Sequence, residues 1–357
     1  MIKLLHSADW HMDSPLPCHS EEQSRFLKEA LLQVPRLVVQ TAQREGCQLI
    51  LLSGDIFDGP CSPESLEAVT QALAEADMPV VIAPGNHDPY TPDSPWQRTV
   101  WPDNVHIFDS RRLQSVHLPE LDCRIYGAAF TGPYEEDWQD SLCAADTEAV
   151  RIGVLHGDPT QADSPYRLIT AKQILDSGLD YLALGHIHKQ GQLVSGGTLC
   201  AWPGCPMGRG FDELGQRGVL VVTVADQCSA RFVSLNTPRF YDLECEAGTD
   251  PAAALSGILP PAGTQDFFRV TFTGECDSLD TAALAKTFSH FPNLALRDRT
   301  VPPTDLWATA GDDTLEGMYF RLLQQSLEGQ DEETSRRILL AAKLSRQLLE
   351  GREVKLP

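Results

Sequence analysis

Met78-Pro-Val-Val-Ile-Ala-Pro84 runs directly into Gly85-Asn86-His87-Asp88. A short apolar run bounded by prolines reads as a buried strand, and the four residues after it place a carboxamide, an imidazole and a carboxylate on one tight turn. Turns at strand ends are where open α/β folds carry their chemistry. An Asn in such a turn is often only a backbone cap. The weight of the motif therefore comes from what the other strand ends carry.

Working outward, the same arrangement recurs. Residues 1–8 form an apolar run that ends in Asp9-Trp10-His11, and residues 48–53 run into Gly54-Asp55. Residues 151–155 end at His156-Gly157-Asp158, and residues 181–184 end at Gly185-His186-Ile187-His188. Between the first strands, Leu27, Ala30, Leu31, Val34, Leu37 and Val38 repeat at helical spacing across residues 21–45. Pro35 predicts a kink there or the start of a second helix, and Gly46 ends the pattern. Ser62 and Pro63 read as the cap and first position of a helix running to about Ala76. This alternation of strand and helix predicts a sheet with helices packed on its faces. Shorter alternating runs at 105–108, 115–118 and 124–127 suggest an antiparallel second sheet, and the acidic stretch 131–146 reads as a loop or short helix. A helix around 171–177 and strands at 192–201 and 218–224 follow, the last two flanking a Gly/Pro-rich loop at 203–215.

Composition shifts near Pro238. Beyond it the pattern reads strand, helix, strand, helix, strand, and then a pair of amphipathic helices over 312–351. The division expected is residues 1–237 as the main domain, 238–311 as a small second domain and 312–357 as a helical segment.

The chain has 357 residues, 42% of them hydrophobic, and no run approaches the ~18 apolar residues of a membrane helix. The opening residues are too short for a signal peptide and run straight into Asp9, so the expected location is cytoplasmic. The ten cysteines are scattered without a C-x-x-C pair and read as reduced thiols. A formal net charge of −22 argues against a free-standing nucleic-acid binder, because phosphate contacts need Lys and Arg. It does not exclude a phosphate-cleaving enzyme whose bound metals supply positive charge locally.

Residues i and i+2 of an extended segment point the same way, so Asp9/His11 and His186/His188 can each face one site. Imidazole with carboxylate and carboxamide donors, and no thiolate, suits Mn²⁺, Fe or Zn²⁺ rather than Mg²⁺ or Ca²⁺. So many donors exceed what one catalytic ion with open positions can use, but they suit two ions sharing a carboxylate. Two ions ~3.5–4 Å apart stabilise both oxygens of an in-line displacement at phosphorus. Phosphoester hydrolysis is the chemistry this implies.

In order along the chain, Asp9-Trp-His11, Gly54-Asp-Ile-Phe-Asp58, Gly85-Asn-His-Asp88, Leu155-His156-Gly157 and Gly185-His-Ile-His188 resemble the five blocks of calcineurin-like metallophosphoesterases. The segments His6-Ser-Ala-Asp-Trp-His-Met-Asp-Ser-Pro15 and Pro203-Gly-Cys-Pro-Met-Gly-Arg209 look most like the SbcD/YhaO-type DNA repair nucleases of that superfamily. Protein Ser/Thr phosphatases carry Arg-Gly where this chain has Gly59-Pro60, and Glu where it has Asp88. The resemblance implies a four-layer αββα sandwich with a small α+β capping domain and a C-terminal helical segment.

The same resemblance implies that Asp9, His11 and His188 hold one divalent metal, that Asp55 bridges, and that Asn86, His156 and His186 complete a second. Both ions would be Mn²⁺, with Fe or Zn²⁺ as alternatives. His87 would act on the scissile phosphate or leaving oxygen, oriented by Asp88. Asp58 would serve the turn or stand behind a ligand, and Arg209 would touch a phosphate or brace its loop. The implied activity is DNA cleavage, as exonuclease, endonuclease or both, by a homodimer partnered with an SbcC-like coiled-coil ATPase. A small-molecule or cyclic-nucleotide phosphodiesterase, or a non-catalytic scaffold, are the competing readings.

Overall fold

The computed structural model describes residues 1–16, 20–135, 142, 150–161, 163–261 and 263–351. Most of the acidic stretch 131–146, together with Cys18, His19 and residues 352–357, lies outside the described residues. The chain divides into two compact units, one formed by Met1–Asp242 with Gln265–Arg269, the other by Leu243–Thr264 with Val270–Pro357.

In the first unit, β1 (Ile2–Ser7) leads to α1 (Glu21–Leu32), α2 (Val34–Glu45), β2 (Leu49–Leu52), α3 (Pro63–Ala74), β3 (Val80–Ile82), α4 (Pro95–Arg98) and β4 (Val105–Ile107). Then come β5 (Gln114–Leu118), β6 (Cys123–Ala128), β7 (Val150–His156), α5 (Ala171–Asp176) and β8 (Tyr181–Gly185). The hairpin β9 (Gly191–Ser195) and β10 (Thr198–Trp202) turns at Gly196–Gly197, both at positive φ, and β11 (Gly218–Val224) and β12 (Ser229–Ser234) follow. The strands form two six-stranded sheets, ordered β12-β11-β1-β2-β3-β4 and β5-β6-β7-β8-β10-β9.

Alternation along each strand builds the layers. In β1 and β2, Leu4, Leu49 and Leu51 face the second sheet, where they meet Ile125, Ile152, Val154 and Ala183. Leu5, Ile50 and Leu52 point the other way, into a core with Leu31, Val38 and Val69 of α1–α3. On the far face of the second sheet, Leu155, Leu182 and Leu184 pack with Ile174 of α5. Three apolar interfaces thus separate four layers, helix–sheet–sheet–helix, as the sequence leads one to expect.

Local signals set the element ends. Pro35 sits in the first turn of α2 and begins a second helix after Gln33, rather than kinking one long helix. Ser62 Oγ accepts from Ser65 N at the start of α3, and Asp13 in turn accepts from Ser62 N (2.7 Å) and Oγ (2.9 Å). Two expectations need correction. Residues 105–107 belong to the first sheet, pairing parallel with β3, and the second sheet is mixed, with β6, β7 and β8 parallel to one another. Alternation reports which face a residue takes, not the direction of its neighbour. Long crossovers between β3 and β4, and between β6 and β7, favour the parallel pairing.

The second unit holds α6 (Pro251–Ile258), α7 (Thr281–Thr287), β15 (Leu294–Asp298), α8 (Leu315–Gln325) and α9 (Glu332–Leu349). A three-stranded sheet is ordered β13 (Phe240–Glu246), β14 (Phe267–Thr273), β15. Ala310, Phe320 and Ala342 form a small core, with the Arg346 guanidinium 4.0 Å from the Phe320 ring centre and donating to Glu316 Oε1 at 2.6 Å.

A polar link spans the two sheets. His6 of β1 is fully buried, with Nδ1 2.8 Å from Tyr181 Oη of β8 and Nε2 2.7 Å from Ser53 Oγ. Burial pushes its imidazole down to about 3. The unfolded chain takes up this proton near pH 6.5 and the folded chain only near 3, so the folded state is favoured in full above pH 6.5. That advantage is lost as pH falls through the window, by about 1.4 kcal/mol per pH unit. Urea unfolding in chelator at pH 7.5 and 5.0 should show wild type losing about 2 kcal/mol more than His6→Gln.

Candidate metal centre

The residues singled out at the strand ends converge because three glycines let their turns touch. A Cβ on Gly54 would lie 2.5 Å from His156 Nδ1, one on Gly85 would lie 2.2 Å from Asp55 Oδ1, and one on Gly185 would lie 2.0 Å from Ser53 O. The first two loops are also laced together, Asp9 N donating to Gly54 O (3.0 Å), His11 N to Asp55 O (2.9 Å) and Met12 N to Ile56 O (2.9 Å). Asp9, His11, Asp55 and His186 all adopt positive φ, at 54°, 48°, 54° and 95°. Non-glycine residues reach this region only where the surrounding structure holds them there, and such positions cluster at functional sites.

The side chains form contiguous groups. Ligand atoms of Asp9, His11 and His188 lie within 4.8 Å of one another, as do those of Asp9, Asp55 and His156, and those of His11, Asp58 and His87. His11 Nε2 faces His188 Nε2 at 3.1 Å. Asp55 Oδ2 stands between the groups, 3.6 Å from His11 Nε2 and 3.3 Å from His156 Nε2. Asn86 Oδ1 is 2.9 Å from His156 Nε2. Asp9 Oδ1 accepts from His186 N at 2.9 Å, while its buried Oδ2 has no hydrogen-bond partner among the described residues.

This arrangement fits cations. Ring nitrogens that face each other, and a buried carboxylate oxygen without a donor, are costly unless a positive ion sits among them. Burial opposes ionisation of Asp55, but His156, His11 and His87 around it hold its carboxyl below the usual range. Burial likewise opposes a charge on His156, but Asp55 outweighs it and raises the imidazole to about 9. Burial, then the neighbouring His156, lower His186 to about 4. Asp9, His11 and His188 could hold one ion, and Asp9, Asp55, Asn86 and His156 a second. His186 has its backbone in place, and its ring lies tilted 4.8 Å from Tyr166 and edge-on 5.3 Å from the His156 ring, but it does not enter the ligand groups above.

One expected role is corrected. Asp88 does not orient the His87 ring. Its carboxylate accepts from Gly85 N (2.7 Å), Ile56 N (2.7 Å), Asp55 N (3.2 Å) and Phe57 N (3.2 Å), and so ties the two turns together. Asp58 meets His87 instead, with Oδ1 2.6 Å from Nδ1, because Gly59 N donates to His87 O and lays the 55–59 loop along the turn. The His87 side chain is 48% exposed and stands edge-on to His11. Arg209 braces its loop through Glu213, one of the two roles expected of it. Its Nη2 donates to Oε1 (2.6 Å), and its N and Nε donate to Oε2 (2.8 and 3.2 Å). Glu213 was not singled out from sequence. It is buried, its Oε1 accepts from His188 Nδ1 at 2.8 Å, and the signal for it is only its place four residues after Arg209 in the Gly/Pro-rich loop.

An αββα sandwich with a His/Asp/Asn centre on the strand ends defines a metal-dependent phosphoesterase architecture. The chain belongs to the calcineurin-like phosphoesterase family, whose model matches residues 2–190. It is 32% identical over 240 residues to the Uncharacterized metallophosphoesterase YhaO of Bacillus subtilis (strain 168), covering 63% of this chain and 58% of that one. It is 25% identical over 258 residues to the SbcD component of the nuclease SbcCD of the same organism, covering 60% and 64%. It is 26% identical over 224 residues to the DNA double-strand break repair protein Mre11 of Aeropyrum pernix, covering 57% and 53%. The matches thus span less than two thirds of each of these relatives.

The geometry makes separate demands on two neighbours. Asp55→Ala should weaken Mn²⁺ binding, measured by equilibrium dialysis, by more than the roughly 10–100-fold cost of losing a supporting partner. His87→Ala should bind Mn²⁺ like wild type. Equal loss in both variants would contradict these assignments.

Proposed function

We propose that this member of the phosphoesterase family is a two-metal phosphodiesterase that cleaves DNA, as exonuclease, endonuclease or both. The observation that carries the reading is the exposed His87 ring standing beside two contiguous ligand groups. In this reading Asp9, His11 and His188 hold one ion, Asn86 and His156 hold the second, Asp55 lies between them, and His186, whose ring stands outside these groups in this structure, completes the second ion's set by turning toward it. Two divalent ions, Mn²⁺ by preference for this donor set, supply the charge that stabilises the attacking and leaving oxygens of an in-line displacement.

The chain's own residues do the rest. His87 has Nδ1 held by Asp58, and its side chain is half-exposed beside the ligand groups. The ring, held in place at Nδ1, can hand a proton from Nε2 to the leaving oxygen as the P–O bond breaks. The Asp88 bonds keep the Asn86–His87 turn fixed against Asp55 while that happens. Glu213 holds His188, and Arg209 holds Glu213.

DNA as substrate is supported by relatives named as part of a nuclease and as a double-strand break repair protein. The −22 charge speaks against unaided grip on a duplex, so the proposal includes a partner that adds basic surface, an SbcC-like coiled-coil ATPase. Leu315, Leu322, Leu348 and Leu349 on α8 and α9 are exposed and suit docking of such a partner. A homodimer and a cytoplasmic location belong to the same reading. Among the described residues no helix is long and apolar enough to cross a membrane.

Digestion of end-labelled duplex and closed circular single-stranded DNA with Mn²⁺, with and without the partner ATPase, tests the proposal. Wild type should cleave, and His87→Ala should be slower by about 10²–10⁴-fold. Cleavage of bis-p-nitrophenyl phosphate or cyclic nucleotides with DNA left intact, partner present, would sink the nuclease claim in favour of a small-molecule phosphodiesterase.

A further inference from the structure

The two ligand groups are backed differently. His188 Nδ1 meets a buried carboxylate, Glu213 Oε1 at 2.8 Å, whereas His156 Nδ1 meets a neutral peptide carbonyl, Ser53 O at 2.8 Å. An imidazole that donates Nδ1–H to a carboxylate is a more basic ligand at Nε2, and its ring is held in one tautomer and orientation. The carboxylate is itself fixed. Arg209 donates to both Glu213 oxygens through its side chain and to Oε2 through its backbone N–H, which locks the rotamer. His188 Nε2 is thereby aimed at His11 Nε2, 3.1 Å away.

From this asymmetry we infer that Glu213, clamped by Arg209, is a positioning residue that makes the Asp9–His11–His188 site the tighter of two unequal metal sites, so that it fills first. The inference rests on the two-metal reading above and adds an order of loading to it. Glu213 touches neither substrate nor ion. It acts through His188, and its loss should be felt at one site only. In such a protein the second ion, backed by a peptide carbonyl, is the one that comes and goes with the free metal concentration.

Mn²⁺ titration of the full chain, read by calorimetry and by the paramagnetic signal of unbound Mn²⁺, tests this without reference to activity. Wild type should bind two ions in two affinity classes. His188→Ala should remove the tighter class and His156→Ala the weaker one. Glu213→Gln should weaken the tighter class by about 10–100-fold and leave the weaker class unmoved. Arg209→Gln, which releases the clamp but keeps the carboxylate, should weaken the same class by a smaller factor, and it serves if Glu213→Gln does not fold. Unchanged classes in both variants, equal weakening of both classes, or loss confined to the weaker class would overturn the inference. Binding of fewer than two ions by wild type would instead overturn the two-metal reading itself.

Discussion

The Asp88 carboxylate, buried beneath the centre, accepts N–H bonds from Gly85, Asp55, Ile56 and Phe57. These donors come from two separate turns, at the ends of β2 and β3, whose strands pair parallel and would otherwise splay apart beyond the last ladder bond. Burial and the neighbouring Asp55 carboxylate push this carboxyl up to about 8, so near neutral pH its oxygens accept largely as the neutral acid. Such hydrogen bonds contribute about 0.5–1.5 kcal/mol each, and without the acceptor the four donors would be left unpaired in a dry interior. The contact fixes Asp55 relative to Asn86, and with them the spacing between the ligand groups. What first looks like part of the chemical apparatus is its foundation.

A second foundation lies under His156. Arg167 is fully buried, held at φ 51°, and donates to Ala129 O (2.7 Å), Ala128 O (3.0 Å) and His156 O (3.5 Å) while pairing with the buried Glu135. Its guanidinium lies 4.5 Å from the Phe130 ring centre, and Phe130 in turn stands edge-on to the His156 imidazole. A planar cation with a fork of donors can satisfy several carbonyls at a sheet end at once, which a Lys could not. The centre is thus carried by one buried carboxyl group at the first sheet and one buried cation at the second.

Much of this was legible in the sequence. The strand ends stand out because each apolar run stops at a polar ligand type, and the cap at Ser62 and the first-turn proline at Pro35 declare themselves by position. The parts that were not legible share one physical cause. Asp88 is next to His87 in the chain, yet its side chain turns to the backbone of another loop, and the residue that reaches the ring is Asp58. Neighbourhood in sequence does not say which turn packs on which. Glu213 and Arg209 sit in an irregular loop, where no periodicity marks a buried side chain. The parallel placement of β4 escaped for a similar reason, since a short edge strand alternates alike in either direction.

The three glycines at 54, 85 and 185 leave their neighbours no room for even one added carbon. Their tightness has a consequence for how such a centre can diversify. Ligand spacing is written into main-chain contact, so it cannot be adjusted in small steps: any side chain at these positions forces whole turns apart. Variation that preserves the fold must work from the periphery, through the groups that stand behind the imidazoles or rim the exposed ring. The inner geometry is then the part of the centre least free to change.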